Sequence, residues 1–241
     1  GNANYIWVTM ADGGNTSRTM YFDNQGTISL GGTGDTLAVL NAEADPNGGF
    51  SFINSGTLEL TGSAQRGILF GRDYPTAEII LTKPMVIKGS DSAGIYFDHS
   101  VDIAGGKTRL SSNSNNIVTG IPTTTRGSEF RIKLSGSKNK GLYFNHGSTF
   151  NVNTFELKSI DGTKNIPVYI QNGTVSLAGG TIDITGGNEN IGIFTNKPIT
   201  STAANITINN STKSIGIYAK NAGATTTNTG KISATGVSVK A

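Results

Sequence analysis

The sequence predicts an all-β protein folded as a right-handed parallel β-helix, with about nine coils of about 25 residues each. Gly, Thr, Asn and Ser make up close to half of the 241 residues, and charged residues only 15%, unlike a highly charged disordered chain. No stretch keeps apolar residues at the helical spacing of about 3.6 residues. Two short phrases recur along the chain, and recurrence of this kind indicates a repeat architecture.

The first phrase is a glycine, a branched aliphatic residue and an aromatic or large apolar residue. Its copies are Gly67-Ile68-Leu69, Gly94-Ile95-Tyr96, Gly141-Leu142-Tyr143, Gly192-Ile193-Phe194 and Gly216-Ile217-Tyr218, with weaker copies at Ile117-Val118 and Val168-Tyr169. Successive aliphatic positions are 22 to 27 residues apart. We expect the aliphatic side chains to point inward and to form one column along the axis.

The second phrase is Asn-x-Gly-Thr-aliphatic-x-Leu, at 24–30 and 54–60, with a shortened copy at 172–177 and a degraded one at 228–232. Such alternation marks short strands with one buried face. Strands this short are unstable as lone hairpins, and the spacing leaves no room for crossover helices. A coil of three strands and three turns, stacked at ~4.8 Å, satisfies both constraints. An antiparallel β-sandwich is the competing fold, but it does not require a fixed repeat.

The remaining features complete the predicted solenoid. Asn and Gly at the turns would supply left-handed backbone conformations, and parallel strands are usually joined by right-handed connections. The whole chain, 1–241, is predicted to be one β-helix domain cut from a longer protein. Residues 1–20, which contain Trp7, fit the repeat poorly and would form an irregular first coil or a cap.

The two phrases, the absence of cysteine and the Gly/Asn/Thr-rich composition resemble the passenger domains of large type V autotransporter adhesins of Gram-negative bacteria. The resemblance covers nearly the whole chain from Tyr21 onward. It implies a virulence-associated protein at the cell surface, secreted through and anchored to the outer membrane by a C-terminal barrel outside this chain. Because family members include adhesins, cytotoxins and proteases, fold alone does not settle function.

Catalytic chemistry has few candidate residues in this sequence. Arg131-Ile132-Lys133 matches a phrase of β-helix polygalacturonases, but their adjacent paired aspartates are missing. Glycoside hydrolysis needs two carboxylates within about 5–10 Å, and Asp98 and Asp102 beside His99 make no convincing pair. His99 and His146 are 47 residues apart, or two predicted coils at ~10 Å, too far to share a metal. We therefore predict no enzyme, no metal and no cofactor, with a carbohydrate-active or tailspike-like domain as the alternative.

The predicted function is binding, by residues whose side chains point outward from the solenoid. In the first phrase an inward aliphatic residue forces its successor outward, so one outer face would carry Tyr96, Tyr143, Tyr169, Phe194 and Tyr218. Such a stripe is either an interaction surface or a scaffold of rings stacked between coils. Arg131 and Lys133 are further binding candidates, although a plain outward position between inward Phe130, Ile132 and Leu134 explains them better. The segments 41–49, 71–75 and 119–127 interrupt the repeat and are candidate loops.

Partner classes follow from charge and from the resemblance. The net charge of +3 divides into −4 for residues 1–120 and +7 for residues 121–241, without the dense basic run of a nucleic-acid site. We expect a monomeric adhesin segment that is not inserted in the membrane and attaches to a host or bacterial cell-surface protein or glycan. The second alternative is a structural stalk that displays another domain.

Overall fold

The computed structural model describes residues 6–10, 19–34, 36–42, 49–70, 76–98, 109–110, 130–147, 149–152, 155–197, 199–221 and 226–236. Within these ranges the chain forms 24 β-strands and no helix, so these ranges contain no helix able to cross a bilayer. Three successive strands make one coil, and each strand pairs in parallel with its counterpart in the next coil. The predicted parallel β-solenoid is confirmed, while its right-handed sense stays a prediction.

The wall of the solenoid has three faces. Sheet I consists of β1 (Ile6–Met10), β4 (Thr36–Ala42), β7 (Arg66–Phe70), β10 (Ala93–Phe97), β13 (Lys140–Phe144), β16 (Ile166–Ile170), β19 (Ile191–Thr195) and β22 (Ile215–Ala219). Sheet II consists of β3 (Thr27–Leu30), β6 (Thr57–Leu60), β9 (Met85–Ile87), β12 (Phe130–Leu134), β15 (Phe155–Ile160), β18 (Thr181–Thr185), β21 (Asn205–Asn209) and β24 (Ile232–Thr235). Sheet III has two parts, first β2 (Thr19–Asn24), β5 (Gly49–Asn54), β8 (Thr76–Leu81) and β11 (Arg109–Leu110), then β14 (Thr149–Val152), β17 (Thr174–Leu177), β20 (Ile199–Thr202) and β23 (Thr226–Asn228).

The described chain has eight coils, one for each strand of sheet I, where the sequence predicted about nine. The difference arises between Ile95 and Leu142, which pair directly in adjacent coils although 47 residues separate equivalent positions there. Ile117-Val118, which the prediction counted as a coil, lies outside the described residues. The predicted two-coil separation of ~10 Å is therefore wrong for the segments that precede the two histidines.

The start of the chain joins the solenoid. Of residues 1–20, the structure describes Ile6–Met10, which forms β1 and pairs with β4, and Thr19–Met20, which begins β2. The rest of the predicted first coil or cap lies outside the described residues.

The interior is a set of apolar columns, one residue per coil. The predicted column of sheet I is confirmed, because its members pair in direct register from coil to coil. Its first five side chains are 0% exposed, and the last is partly buried against the core; the column is Ile68, Ile95, Leu142, Val168, Ile193 and Ile217. Each fully buried aliphatic side chain contributes about 1.5–3 kcal/mol.

A second interior column is aromatic in the middle coils. The rings of Phe97 and Phe144 stack with centroids 4.7 Å apart, and Phe150 of sheet III packs against them at 5.4 and 4.9 Å. All three side chains are buried. Sheets I and III are therefore joined by aromatic contacts both within one coil, between Phe144 and Phe150, and between adjacent coils, between Phe97 and Phe150.

The glycine of the first phrase is required by close packing. A Cβ at Gly94 would lie 2.8 Å from the carbonyl oxygen of Gly141 and 2.9 Å from Cδ1 of Ile132. At Gly192 a Cβ would lie 2.6 Å from the carbonyl oxygen of Gly216. All three distances are too short for a real Cβ, so glycine at these positions lets neighbouring coils approach each other.

A buried polar ladder runs along the turn that joins sheet II to sheet I. Its members, each at most 1% exposed, are Gln65, Ser92, Asn139, Asn165 and Asn190. From Ser92 onward, each side-chain oxygen accepts a hydrogen bond from the backbone N–H of the ladder residue one coil earlier. The donor–acceptor distances are 2.9 Å for Gln65 to Ser92, 3.0 Å for Ser92 to Asn139, and 2.9 Å for both Asn139 to Asn165 and Asn165 to Asn190. The ladder satisfies backbone donors that water cannot reach.

The residue before each ladder position has a left-handed backbone, with φ between 52° and 58°. The sequence predicted Asn and Gly at such turns, and this is wrong here, because the residues are Ala64, Asp91, Lys138, Lys164 and Glu189. The strain of about 1–2 kcal/mol per residue is offset by bonds between coils, since each N–H donates to a carbonyl of the next coil at 2.8–2.9 Å. Asn occurs instead at positions of the buried polar ladder, where its side-chain carboxamide makes hydrogen bonds between coils.

Copies of the second phrase, Asn-x-Gly-Thr-aliphatic-x-Leu, precede strands of different sheets, so the phrase does not mark a single face of the solenoid. At 24–30 and 54–60 it leads into sheet II, whereas its shortened copy at 172–177 leads into β17 of sheet III. In the first two copies the Asn side chains are buried, and Asn24 donates to Asn54 across 2.7 Å. The amide again bonds between coils.

Replacing Leu142 by Asp should destabilise the solenoid by at least the roughly 2–5 kcal/mol of a buried Leu→Ala change, because it also buries an unpaired carboxyl group. Leu142→Met is the matched control and should cost less than about 1.5 kcal/mol. Denaturant unfolding measures both changes. Equal stabilities for the two variants would contradict the inward column.

Replacing Asn165 by Ala should lower the free energy of unfolding by about 1–3 kcal/mol, since the N–H of Asn139 is left buried without its acceptor. Asn188→Ala is the control, because its side chain accepts a bond from Thr212 at an exposed position and its loss should change stability by less than about 0.5 kcal/mol. The same unfolding assay separates the two. A tolerated Asn165→Ala would refute the ladder's structural role.

Candidate binding surface

Five aromatic side chains form a column on the outer side of sheet I, here called the aromatic column: Tyr96, Tyr143, Tyr169, Phe194 and Tyr218. They occupy the same register position in β10, β13, β16, β19 and β22, and Leu69 of β7 precedes them. Each follows an inward aliphatic residue, so strand alternation turns it outward. The sequence therefore placed all five correctly in one column.

The rings of the aromatic column contact one another. Centroids are 4.5 Å apart for the first pair, then 4.9, 4.7 and 5.7 Å, with arrangements from stacked to edge-on. The predicted stacking between coils is confirmed, and each such pair contributes about 0.5–1.5 kcal/mol. Exposure differs along the column, from 9% at Tyr96 to 42% at Tyr218. The column is thus both a scaffold element and a partly accessible surface.

A second outward column lies two residues after each of the first four rings and is here called the polar column: Asp98, Asn145, Gln171 and Asn196. All four side chains are partly exposed. Asn145 donates to Asp98 Oδ1 (3.0 Å) and to the Tyr96 hydroxyl (3.1 Å). Gln171 Oε1 accepts from the Tyr169 hydroxyl (2.9 Å) and from Asn196 Nδ2 (2.8 Å). The amides thereby hold two phenol hydroxyls at the outer edge of the aromatic column.

A shallow cleft of about 140 Å³ lies beside the first two rings. The guanidinium of Arg66 covers the Tyr96 ring at 5.0 Å from its centroid, a cation–π contact. Lys140 lines the same cleft and is paired with Asp91 at 2.8 Å. Within the described ranges the Arg66 side chain makes no hydrogen bond or ion pair, and it lines the cleft together with Tyr96 and Tyr143.

Burial changes the acidity of the tyrosines. Desolvation raises the pKa of Tyr96, and the Asp98 carboxylate raises it further. Desolvation, with the neighbouring Tyr96 and Tyr169, raises the pKa of Tyr143 to about 12. Burial alone raises the pKa of Tyr169. These phenols stay protonated, and therefore able to donate hydrogen bonds, at physiological pH.

Arg131 and Lys133 lie on sheet II, a different face from the aromatic column. They are outward, because Phe130, Ile132 and Leu134 of the same strand are buried. Arg131 lies 3.6 Å from Glu156 of the next coil and donates to the Thr82 carbonyl at 3.1 Å. Lys133 pairs in register with Lys158 and has no ion pair within the described part. The structure thus separates these two candidates from the other five.

The acidic and histidine candidates are only partly described. Asp98 belongs to the polar column, whereas His99 and Asp102 lie outside the described residues. His146 follows Asn145 at the end of β13. The described residues hold no group of three His, Cys, Asp or Glu side chains suited to a metal ion.

The candidate loops fall largely outside the described residues, which end at Ala42 and resume at Gly49, and which omit 71–75 and 119–127. The polar column and Arg66 were missed by the sequence reasoning. A signal for the polar column existed, since period-2 alternation places the second residue after each ring outward as well. No sequence signal placed Arg66 over Tyr96.

Raising the pH above 10 should destabilise the solenoid through these phenols. Because the folded pKa of Tyr143 is about 12 against 10.0 for the ordinary group, the native state binds more protons between these values and stability falls across that window. Tyr143→Phe removes the contribution of this phenol to the pH dependence, so the free energy of unfolding of the variant should fall less over the same pH range. Unfolding free energies, measured from about pH 9 upward, test this. Identical slopes for parent and variant would refute the assignment.

Comparisons of the chain with protein-family models, with curated proteins and with solved structures gave no significant match. The fold assignment therefore rests on the parallel backbone pairing within this chain. Function has to be argued from the side chains of the surface.

Proposed function

We propose that the chain is an elongated, non-catalytic adhesion segment that binds a cell-surface protein or glycan through the outer side of sheet I. The observation that carries the proposal is the repetition of the aromatic and polar columns in the same register over adjacent coils. Partly exposed rings beside hydrogen-bonding groups are typical of binding surfaces. Four coils thereby present similar chemistry along one straight face.

The same surface offers little for hydrolysis. Asp98 is the one carboxylate among the two columns, and it accepts a hydrogen bond from Asn145. A glycosidase of the usual kind needs a second carboxyl group within about 5–10 Å. The columns therefore favour binding over the alternative of a carbohydrate-active enzyme.

The cellular setting of the proposal rests on the resemblance to autotransporter passenger domains. We propose that the segment is secreted, displayed at the surface of a Gram-negative bacterium and held at the outer membrane through a region outside this chain. The parallel solenoid is consistent with such a passenger. An extended rod suits display, because its length grows by ~4.8 Å with each added coil.

A stalk that positions another domain is the second candidate function. It is favoured by the mutual stacking of the rings, which covers ring faces that a ligand would otherwise contact. The buried ladder also contributes rigidity without any ligand. The two functions differ in whether the exposed edges of the columns are needed for attachment.

Changing Tyr143 and Tyr218 together to Ser should reduce cell attachment of the purified chain by at least tenfold, equivalent to about 1.4 kcal/mol. Tyr218→Ser alone, at the most exposed ring, should reduce attachment with little change in melting temperature. Asp183→Ser, on the outer side of sheet II, is the matched control and should leave attachment unchanged. Lost stability with attachment intact at low temperature would assign the rings to a stalk.

A further inference from the structure

We propose that the ligand of this surface is an extended polysaccharide that lies parallel to the solenoid axis, with a carboxylate-bearing sugar at Arg66. This inference rests on the proposed binding function and names the ligand class of the same surface. It follows from the chemistry of the exposed groups, from their spacing and from the Arg66 guanidinium at one end, which has no ion pair among the described residues.

The exposed edge of the surface matches sugar hydroxyls. Phenols and carboxamides both donate and accept hydrogen bonds, as sugar hydroxyls do. Tyr96 and Tyr169 are already aligned by Asn145 and Gln171, so little side-chain freedom is lost when a ligand binds. Asn196 Nδ2 donates to Gln171 Oε1 at 2.8 Å, so this member of the polar column is also held in place.

The spacing matches a repeating ligand. Consecutive members of both columns come from adjacent coils, which advance along the axis by ~4.8 Å. That advance is close to the length of one pyranose in an extended polysaccharide. A chain lying along the axis therefore meets a phenol or ring edge at each sugar, together with the Asp98 carboxylate in the first coil and an amide in each of the next three. A chain lying across the axis meets only one ring and one polar group.

An acidic group of the ligand would bind at the end of the surface where Arg66 lies. Its guanidinium is held over the Tyr96 ring and has no hydrogen bond or ion pair to the described protein, while Lys140 in the same cleft is paired with Asp91. A planar guanidinium binds a carboxylate through two parallel hydrogen bonds. The cleft, at about 140 Å³, provides room for a small group such as a sugar carboxylate.

A protein partner is less well matched. Protein interfaces centre on apolar anchors in desolvated pockets, but the large apolar side chains that are well exposed in the described structure are Ile215, Tyr218 and Ile232. All three belong to the last described coil, and Ile232 lies on sheet II. Along the middle coils the accessible chemistry is phenol, amide and charge.

The test is binding of the purified 241-residue chain to immobilised polygalacturonate, alginate and hyaluronan, each compared with its methyl-esterified form. At least one acidic polymer should bind with a dissociation constant below about 1 mM. Gln171→Glu keeps the acceptor of both internal hydrogen bonds but adds a negative charge, and it should weaken that binding at least tenfold. Arg66→Gln should remove the preference for the acid over its ester, and Asp183→Ser should change nothing.

Failure of this proposal is distinguishable from failure of the proposed function. If no polymer binds, or if binding ignores Gln171→Glu and Arg66→Gln, the polysaccharide assignment is overturned. Cell attachment that still depends on Tyr143 and Tyr218 would then identify a protein partner on the same surface. If attachment is independent of those tyrosines as well, both proposals fall. Melting temperatures of all variants exclude misfolding as the cause.

Discussion

Parallel backbone pairing between coils is the interaction on which every other feature depends. It fixes the axial spacing at ~4.8 Å and aligns equivalent residues, so that a side chain type repeated in sequence becomes a column in space. The aliphatic column, the buried ladder and the aromatic column are three results of this one constraint. Each needs neighbours above and below, because a single coil buries too little surface to be stable.

Backbone pairing fixes the register of the strands but tolerates variation in the number of residues in a coil. Between Ile95 and Leu142 the chain uses 47 residues to advance one coil, whereas Leu142 to Val168 takes 26. The strands of sheet I remain aligned across both intervals. Extra chain can be accommodated at a turn, because the entropy of closing a longer loop rises only slowly with its length.

Much of the fold could be predicted from the sequence, since the repeated Gly-aliphatic-aromatic phrase carries both the spacing and the inside-outside alternation. The coil count could not, because nothing in the sequence indicates that Ile95 and Leu142, 47 residues apart, pair directly in adjacent coils. The left-handed residues Asp91 and Lys138 were also beyond prediction, since bonds between coils override the local preference of each residue. Of the candidate binding surface, the column of five rings could be predicted. The contact of Arg66 with Tyr96 was not, because it depends on a side-chain path across coils.

The register of the aromatic and polar columns has a consequence for evolution of the protein. Each of the four coils from β10 to β19 contributes one ring and one polar group at a fixed place, so duplication or loss of such a coil would lengthen or shorten the face while its local chemistry stays the same. Unequal recombination between repeats would therefore change the number of contacts in unit steps. When contacts act together, strength rises steeply with their number. Coil number would thus be a heritable control on the strength of the proposed binding, one that requires no new side chain.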